Sequence, residues 1–127
     1  MHKDSLVYQK SFQFALRIIE LYKRLIREGE NTISLQLLRS GTSVGANISE
    51  ALSGYSNKDF SYKMSISTKE ASESRYWLEL LDQSSITQIN VKKELSLANE
   101  LVKMLTAIVK TSQSKKTRKT EDCKLKN

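Results

Sequence analysis

The clearest hydrophobic pattern in this 127-residue chain lies at residues 33–52. At 3.6 residues per turn, its apolar and small positions share one helix face, which comprises Leu37, Leu38, Gly41, Val44, Gly45, Ile48, Ala51, Leu52 and Tyr55. Two glycines lie one turn apart at the centre of this face. A glycine inside a helix costs roughly 1 kcal/mol relative to alanine, so the pair predicts close approach of a neighbouring helix.

The same periodicity predicts three further helices, at residues 5–28, 57–83 and 91–111. The core face of the third helix is bulky at its ends and small in its middle. Short connections make consecutive helices antiparallel, so the small middles of the second and third helices should meet, closer than the usual 8–10 Å or so. We predict an all-α, antiparallel up-down-up-down four-helix bundle over residues 1–112. The predicted helix-packing residues are Gly41, Gly45, Asn47, Ser67, Ala71 and Ser74.

Three polar residues near this contact are candidates for fixing the register between helices or for forming ion pairs. Asn47 lies at the edge of the glycine face, where a part-buried amide can fix the register between two helices; the alternative is an exposed side chain. Glu70 and Glu73, one turn apart, are expected to pair with cations within the subunit or across an interface. The candidate partners are Arg39, Lys63 and Arg75.

The first helix carries more apolar surface than one core contact requires. One stripe consists of Tyr8, Phe12, Ala15, Ile19, Tyr22 and Ile26. A second stripe consists of Val7, Phe14, Ile18, Leu21 and Leu25. Together they cover about half the helix circumference, whereas a helix on one core needs little more than about 100°. Either this helix is covered on two sides inside its own bundle, or one stripe contacts a second subunit.

Local signals predict where helices begin and end. Gly29 is placed for a left-handed C-terminal cap of the first helix. Asn31 or Thr32 can cap the second helix. Ser56, with Asp59 three residues later, resembles a capping box at the start of the third helix.

The formal net charge of +7 is unevenly distributed. Residues 111–127 hold six basic and two acidic residues, a net charge of +4. Basic tails bind nucleic acid through counterion release; the alternative is a disordered, solvated tail at residues 113–127. A basic row on the first helix adds to this charge. The candidate nucleic-acid contacts are Lys10, Arg17, Lys23, Arg24, Arg27, Lys115, Lys116, Arg118 and Lys119.

Candidate catalytic and metal-binding groups are scarce. His2 is the only histidine, Cys123 is the only cysteine, and no Glu-x-x-His sequence is present. Neither a di-iron bundle nor a cysteine-rich zinc site is therefore expected, and we predict no cofactor and no enzymatic activity. The chain shows no secretory signal and no apolar run approaching about 18 residues. Cytoplasmic residence without membrane contact is the expectation.

Three stretches carry a family resemblance. Residues 36–51 read QLLRSGTSVGANISEA, residues 56–60 read SNKDF, and residues 69–78 read KEASESRYWL. Over residues 6–111 the chain resembles the bacterial four-helix-bundle family that includes proteins encoded in the intervening sequences of 23S rRNA genes. Gly41 departs mildly from the alanine expected at that position.

The resemblance implies a homopentameric ring with a central channel and no known enzymatic activity. A related accessory variability protein of diversity-generating retroelements is similar in fold and binds nucleic acid and a reverse transcriptase. The implied partners are further copies of this chain, RNA or DNA, and a protein such as a reverse transcriptase. Two functions stay open: a non-catalytic oligomeric module that contacts RNA or DNA non-specifically, and a protein scaffold without nucleic-acid contact.

Overall fold

The computed structural model describes residues 4–54 and 56–125, with side chains through residue 114. This part of the chain forms four helices and no strand: α1 (Leu6–Arg27), α2 (Ile33–Leu52), α3 (Asn57–Gln83) and α4 (Lys92–Leu125). Each helix packs against the next, and α4 packs against α1. This is the arrangement of an up-down four-helix bundle, and the predicted all-α class is confirmed.

The hydrophobic core is one cluster that draws on all four helices. The second stripe of α1 contributes five buried residues: Val7, Phe14, Ile18, Leu21 and Leu25. The first stripe, hereafter the α1 stripe (Tyr8, Phe12, Ala15, Ile19, Tyr22 and Ile26), is only partly covered: Tyr8 packs against the core, and Ala15 and Tyr22 are half-buried. Its Phe12 is 50% exposed, Ile19 37% and Ile26 41%. The described chain therefore does not cover α1 on both stripes, and the first of the two alternatives is wrong.

The glycines of α2 contact α1, which corrects the prediction that they meet α3. A Cβ added at Gly41 would lie 3.0 Å from Cγ2 of Ile18, and one at Gly45 would lie 3.0 Å from Oγ of Ser11. Both distances are shorter than ordinary van der Waals contact. The glycines thus let α1 approach α2 closely. Periodicity locates the glycine face but does not say which neighbouring helix covers it.

The middles of α2 and α3 meet through serines. Ser67 donates its hydroxyl hydrogen to the carbonyl of Val44 at 2.8 Å. The Ser74 hydroxyl lies 2.9 Å from the Ser40 hydroxyl. These three serines and Ala71 are buried. Because buried hydroxyls need hydrogen-bond partners, these contacts favour one register of α2 on α3.

Asn47 does not have the role predicted for it within the bundle. Its side-chain amide donates to the carbonyl of Ser43, one turn earlier in α2, at 2.8 Å. The residue is half-buried, yet this hydrogen bond stays within its own helix. Register between α2 and α3 comes from the buried serines instead.

Glu30, rather than Asn31 or Thr32, caps α2. One carboxylate oxygen accepts from the backbone N–H groups of Thr32 at 3.2 Å and Ile33 at 2.9 Å, and the other accepts from Ser34 at 2.7 Å. The Ser34 hydroxyl donates back to the Glu30 carbonyl at 2.8 Å. Burial alone would raise the pKa of the Glu30 carboxyl, but these hydrogen bonds together hold it below its ordinary value.

Two other predicted end signals are confirmed. Gly29 has a φ of +91°, the left-handed conformation that ends α1. The Ser56 hydroxyl accepts from the backbone N–H of Asp59 at 3.1 Å and caps α3. Together with Glu30, these residues determine where the first three helices start or stop.

α4 differs from the prediction because it continues past residue 111 to Leu125. The segment predicted to be disordered, residues 113–127, is therefore helical over residues 113–125. It contains neither glycine nor proline, the residues that interrupt helices most strongly. A charged composition predicts solvation but does not exclude a helix. The side chains of Lys115, Lys116, Arg118 and Lys119 lie outside the described residues.

Candidate nucleic-acid interface

Carboxylates neutralise much of the predicted basic row on α1. The Lys10 ammonium lies 2.6 Å from Glu100, and the Arg17 guanidinium lies 3.2 Å from Glu94, both on α4. Lys23 lies 3.4 Å from a carboxylate of its own helix. A cation beside a carboxylate presents a weaker field to a distant phosphate. The basic row is therefore a weaker anion-binding surface than its sequence indicates.

Two cations of this row remain unpaired. Arg24 and Arg27 are exposed, and neither has a carboxylate partner among the described residues. The structure therefore separates the predicted contacts into three paired cations, two unpaired ones and four whose side chains are not described.

A second candidate surface, not predicted from the sequence, lies between α3 and α4. We call it the α3/α4 groove; it has a volume of about 530 Å³. The residues that line it include Ser65, Thr68, Lys69, Ser72, Thr106 and Lys110. The α3 hydroxyls recur at helical spacing, three and four residues apart. That spacing is the sequence signal that could have located the groove.

The acidic side chains in the middle of α3 lie on the side of α2. Glu73 accepts from Nη2 of Arg39 at 2.9 Å and from Nε1 of Trp77 at 3.2 Å, so the predicted pairing with Arg39 is confirmed. Oε2 of Glu70 is buried and has no hydrogen-bond partner among the described residues. Burial, with the nearby Glu73 carboxylate, raises the pKa of Glu70, although Arg39 opposes this.

Among the described side chains, those of residues 4–54 and 56–114, no group of three or more histidine, cysteine or acidic residues is arranged to hold a metal ion. None of the four described helices is both long enough and apolar enough to cross a bilayer. Charge and apolar surface are therefore the features from which a function has to be argued.

The family model for the 23S rRNA-intervening sequence protein matches residues 3–107. The chain belongs to this family. The match spans α1, α2, α3 and the first half of α4, and the resemblance drawn from the sequence is confirmed. The C-terminal half of α4 lies beyond the residues that the model of the 23S rRNA-intervening sequence family matches.

A solved structure supports the same assignment. A protein of unknown function from the S23 ribosomal protein family of Bacteroides thetaiotaomicron is 45% identical to this chain, with a TM-score of 0.76. The alignment covers 83% of this chain and 99% of that one. No curated protein matches the chain. Membership of the 23S rRNA-intervening sequence family thus establishes the fold and leaves the function to be argued from the surfaces.

Proposed function

We propose that the protein is a cytoplasmic, non-catalytic module that self-associates and contacts RNA or DNA without sequence specificity. One observation carries the nucleic-acid part. α4 is a single helix as far as Leu125, and residues 101–120 carry six cations and no carboxylate. At about 1.5 Å per residue, this basic arm is about 30 Å long. Although Glu121 and Asp122 follow it directly, a run of cations of this length suits a phosphate backbone.

The composition of the basic arm favours binding without sequence specificity. Residues 101–120 contain no phenylalanine, tyrosine or tryptophan, the side chains on which unpaired bases stack. Lysines contact phosphates and set position on a strand, but such contacts carry no base information. We therefore expect affinity to depend on salt far more than on sequence.

The α1 stripe supports self-association. None of its six residues is charged, and Phe12, Ile19 and Ile26 are largely exposed. An exposed apolar helix face of this kind marks an interaction surface, and we assign it to a second copy of the chain. A ring of five rests on the family resemblance alone. Assembly would repeat the basic arm and strengthen a weak contact made by each copy.

Fluorescence anisotropy with mixed-sequence single-stranded RNA and with duplex DNA tests the nucleic-acid contact. We expect affinity to fall steeply between about 50 and 200 mM salt. A quadruple arm variant, with glutamine at positions 115, 116, 118 and 119, should bind single strands with a smaller salt slope. The decrease should be about 0.7 for each phosphate that the variant no longer neutralises.

The control for this variant changes the net charge equally. It replaces four cations that already lie beside carboxylates: Lys10, Lys23, Lys63 and Lys92. Because these cations are paired, the control should keep most of the parent's affinity and salt slope. Absence of binding at low salt, or equal loss of affinity in the two variants, would contradict the proposal.

A protein scaffold is the second candidate, and the exposed α1 stripe is the observation that favours it. Under this alternative the chain binds a protein, such as the reverse transcriptase that the family resemblance implies, and no nucleic acid. Charge reversal in the basic arm would then remove a protein partner in a pull-down from the native host, while anisotropy detects no RNA or DNA binding by the parent.

A further inference from the structure

We infer that the α3/α4 groove is a binding site for the sugar-phosphate backbone of a nucleic acid. This inference rests on the proposed function and names a surface that performs it. The groove combines hydroxyl and ammonium groups, and no carboxylate is among the described side chains that line it. Both donor types contact phosphate oxygens in protein–nucleic acid complexes.

Three hydroxyl groups in the groove are free to donate. The side-chain hydroxyls of Ser65, Ser72 and Thr106 make no hydrogen bond within the described part of the chain, and the two serines are half-buried. Thr68, between them, differs because its hydroxyl donates to the Met64 carbonyl at 2.8 Å. Each free hydroxyl carries one donor hydrogen and can point it towards an external acceptor.

Two unpaired ammonium groups lie on opposite walls of the groove. Lys69 on α3 and Lys110 on α4 are exposed and have no carboxylate partner among the described residues. Glu73, one turn beyond Lys69, is held by Arg39 of α2 at 2.9 Å. Charge-assisted hydrogen bonds from ammonium groups to phosphate are stronger than neutral ones. An anion in the groove would thus meet two cations and no carboxylate among the described lining side chains.

The shape and continuity of the groove favour a nucleic acid over an acidic protein. Its volume of about 530 Å³ is many times the roughly 30 Å³ occupied by one water molecule, so it can hold a group much larger than water. Much of its exposed lining is apolar, but no aromatic residue is among the described side chains that line it, whereas protein interfaces centre on aromatic anchors. Gln113 lines the groove, and Lys115 follows two residues later in the same helix.

Single glutamine substitutions in the groove test this site. Lys69→Gln and Lys110→Gln should each reduce the salt slope for single-stranded RNA by about 0.7. The matched control is Lys93→Gln, which removes an exposed, unpaired cation of α4 outside the groove and should leave the slope unchanged. The double variant Ser65→Ala/Ser72→Ala should weaken binding without changing the slope, because a hydroxyl releases no counterion.

The possible outcomes separate this inference from the proposed function. If the groove variants bind like the parent while the quadruple arm variant loses affinity, the groove site is wrong and the proposed function stands. If the parent binds no nucleic acid, both fail. Binding of poly-glutamate in place of RNA, with loss on Lys69→Gln and Lys110→Gln, would overturn the nucleic-acid assignment in favour of an acidic protein. Circular dichroism melts establish that each variant is folded.

Discussion

At Gly41 the missing side chain determines how closely α1 packs on α2. An added Cβ would meet two carbons of Ile18, at 3.0 and 3.1 Å, and Ile18 is itself fully buried. We predict that Gly41→Leu lowers the free energy of unfolding by about 1–3 kcal/mol through overpacking. Chemical denaturation measures this, and the cost should shrink in an Ile18→Ala background, because the two sites are in contact.

The control for this substitution is Ala46→Leu, on the exposed side of the same helix. It adds similar bulk without meeting α1 and should change stability by less than about 0.5 kcal/mol. Equal stability of the Gly41→Leu variant and the parent would show that α1 does not depend on this close approach.

Glu30 stabilises the start of α2 as a carboxylate. We predict that Glu30→Gln lowers stability by about 1 kcal/mol at neutral pH, as expected for a lost helix cap, while Glu79→Gln, an exposed and unpaired site, has little effect. Because the folded pKa of Glu30 is lowered, its contribution is present above the ordinary value of 4.5. It is lost as the pH falls through the folded value. Denaturation curves across this range should converge for parent and variant.

The pKa of Glu70 is shifted in the opposite direction to that of Glu30. Its raised pKa means that the folded state holds the proton more tightly than the unfolded state does, so stability falls as the pH rises from the ordinary value of 4.5 through the folded value. The charged groups that act on it are Glu73 of its own helix and Arg39 of α2. We predict that Glu70→Gln melts at a higher temperature than the parent at pH 7. A variant that melts lower at pH 7, or a difference that grows as the pH falls, would rule this out.

At the scale of elements, the sequence predicts a helix end well where the residue that caps or ends the helix acts only on residues close to it in the chain. The end of α1 and the start of α3 lie within one residue of the predicted positions, because Gly29 and Ser56 act through their own backbone neighbours. The end of α4 is not predicted, since the charged segment after residue 111 has no breaker and no core face to mark its limit. The partner of the Gly41 face is not predicted either, because it depends on how α1 and α3 are placed around α2.

The candidate surfaces are predictable only in part, for a similar reason. The row of cations on α1 can be recognised from the sequence, but its pairing depends on Glu94 and Glu100, which are distant in the chain and adjacent in the fold. Lys69 and Lys110 are unremarkable in the sequence. They share a groove only because α3 and α4 pack side by side.

The helical extension of α4 gives a prediction at this scale. Truncation after Ser114 should remove about a tenth of the total helical signal in far-ultraviolet circular dichroism. It should leave the melting temperature nearly unchanged, because the fully buried residues of α4 end at Leu105. An unchanged total signal after truncation would indicate that residues 115–125 are not helical in solution.

For the whole molecule, the exposed α1 stripe predicts assembly. The double variant Phe12→Glu/Ile19→Glu should be monomeric by light scattering, because charges on a contact face oppose its burial. The parent should have a mass several times 14.5 kDa. The control is Tyr62→Glu, which changes an exposed apolar residue on α3 and should leave the parent's mass unaltered. A monomeric parent at micromolar concentration would contradict self-association.

Because Phe12, Ile19 and Ile26 are exposed in a single copy, the stability of the fold should depend on protein concentration. If the chain assembles as proposed, dissociation exposes these three side chains to water, and dilution then removes the part of the stability that association supplies. Thermal unfolding of the parent should consequently shift to lower temperature as the protein is diluted, whereas unfolding of the Phe12→Glu/Ile19→Glu variant should be independent of concentration.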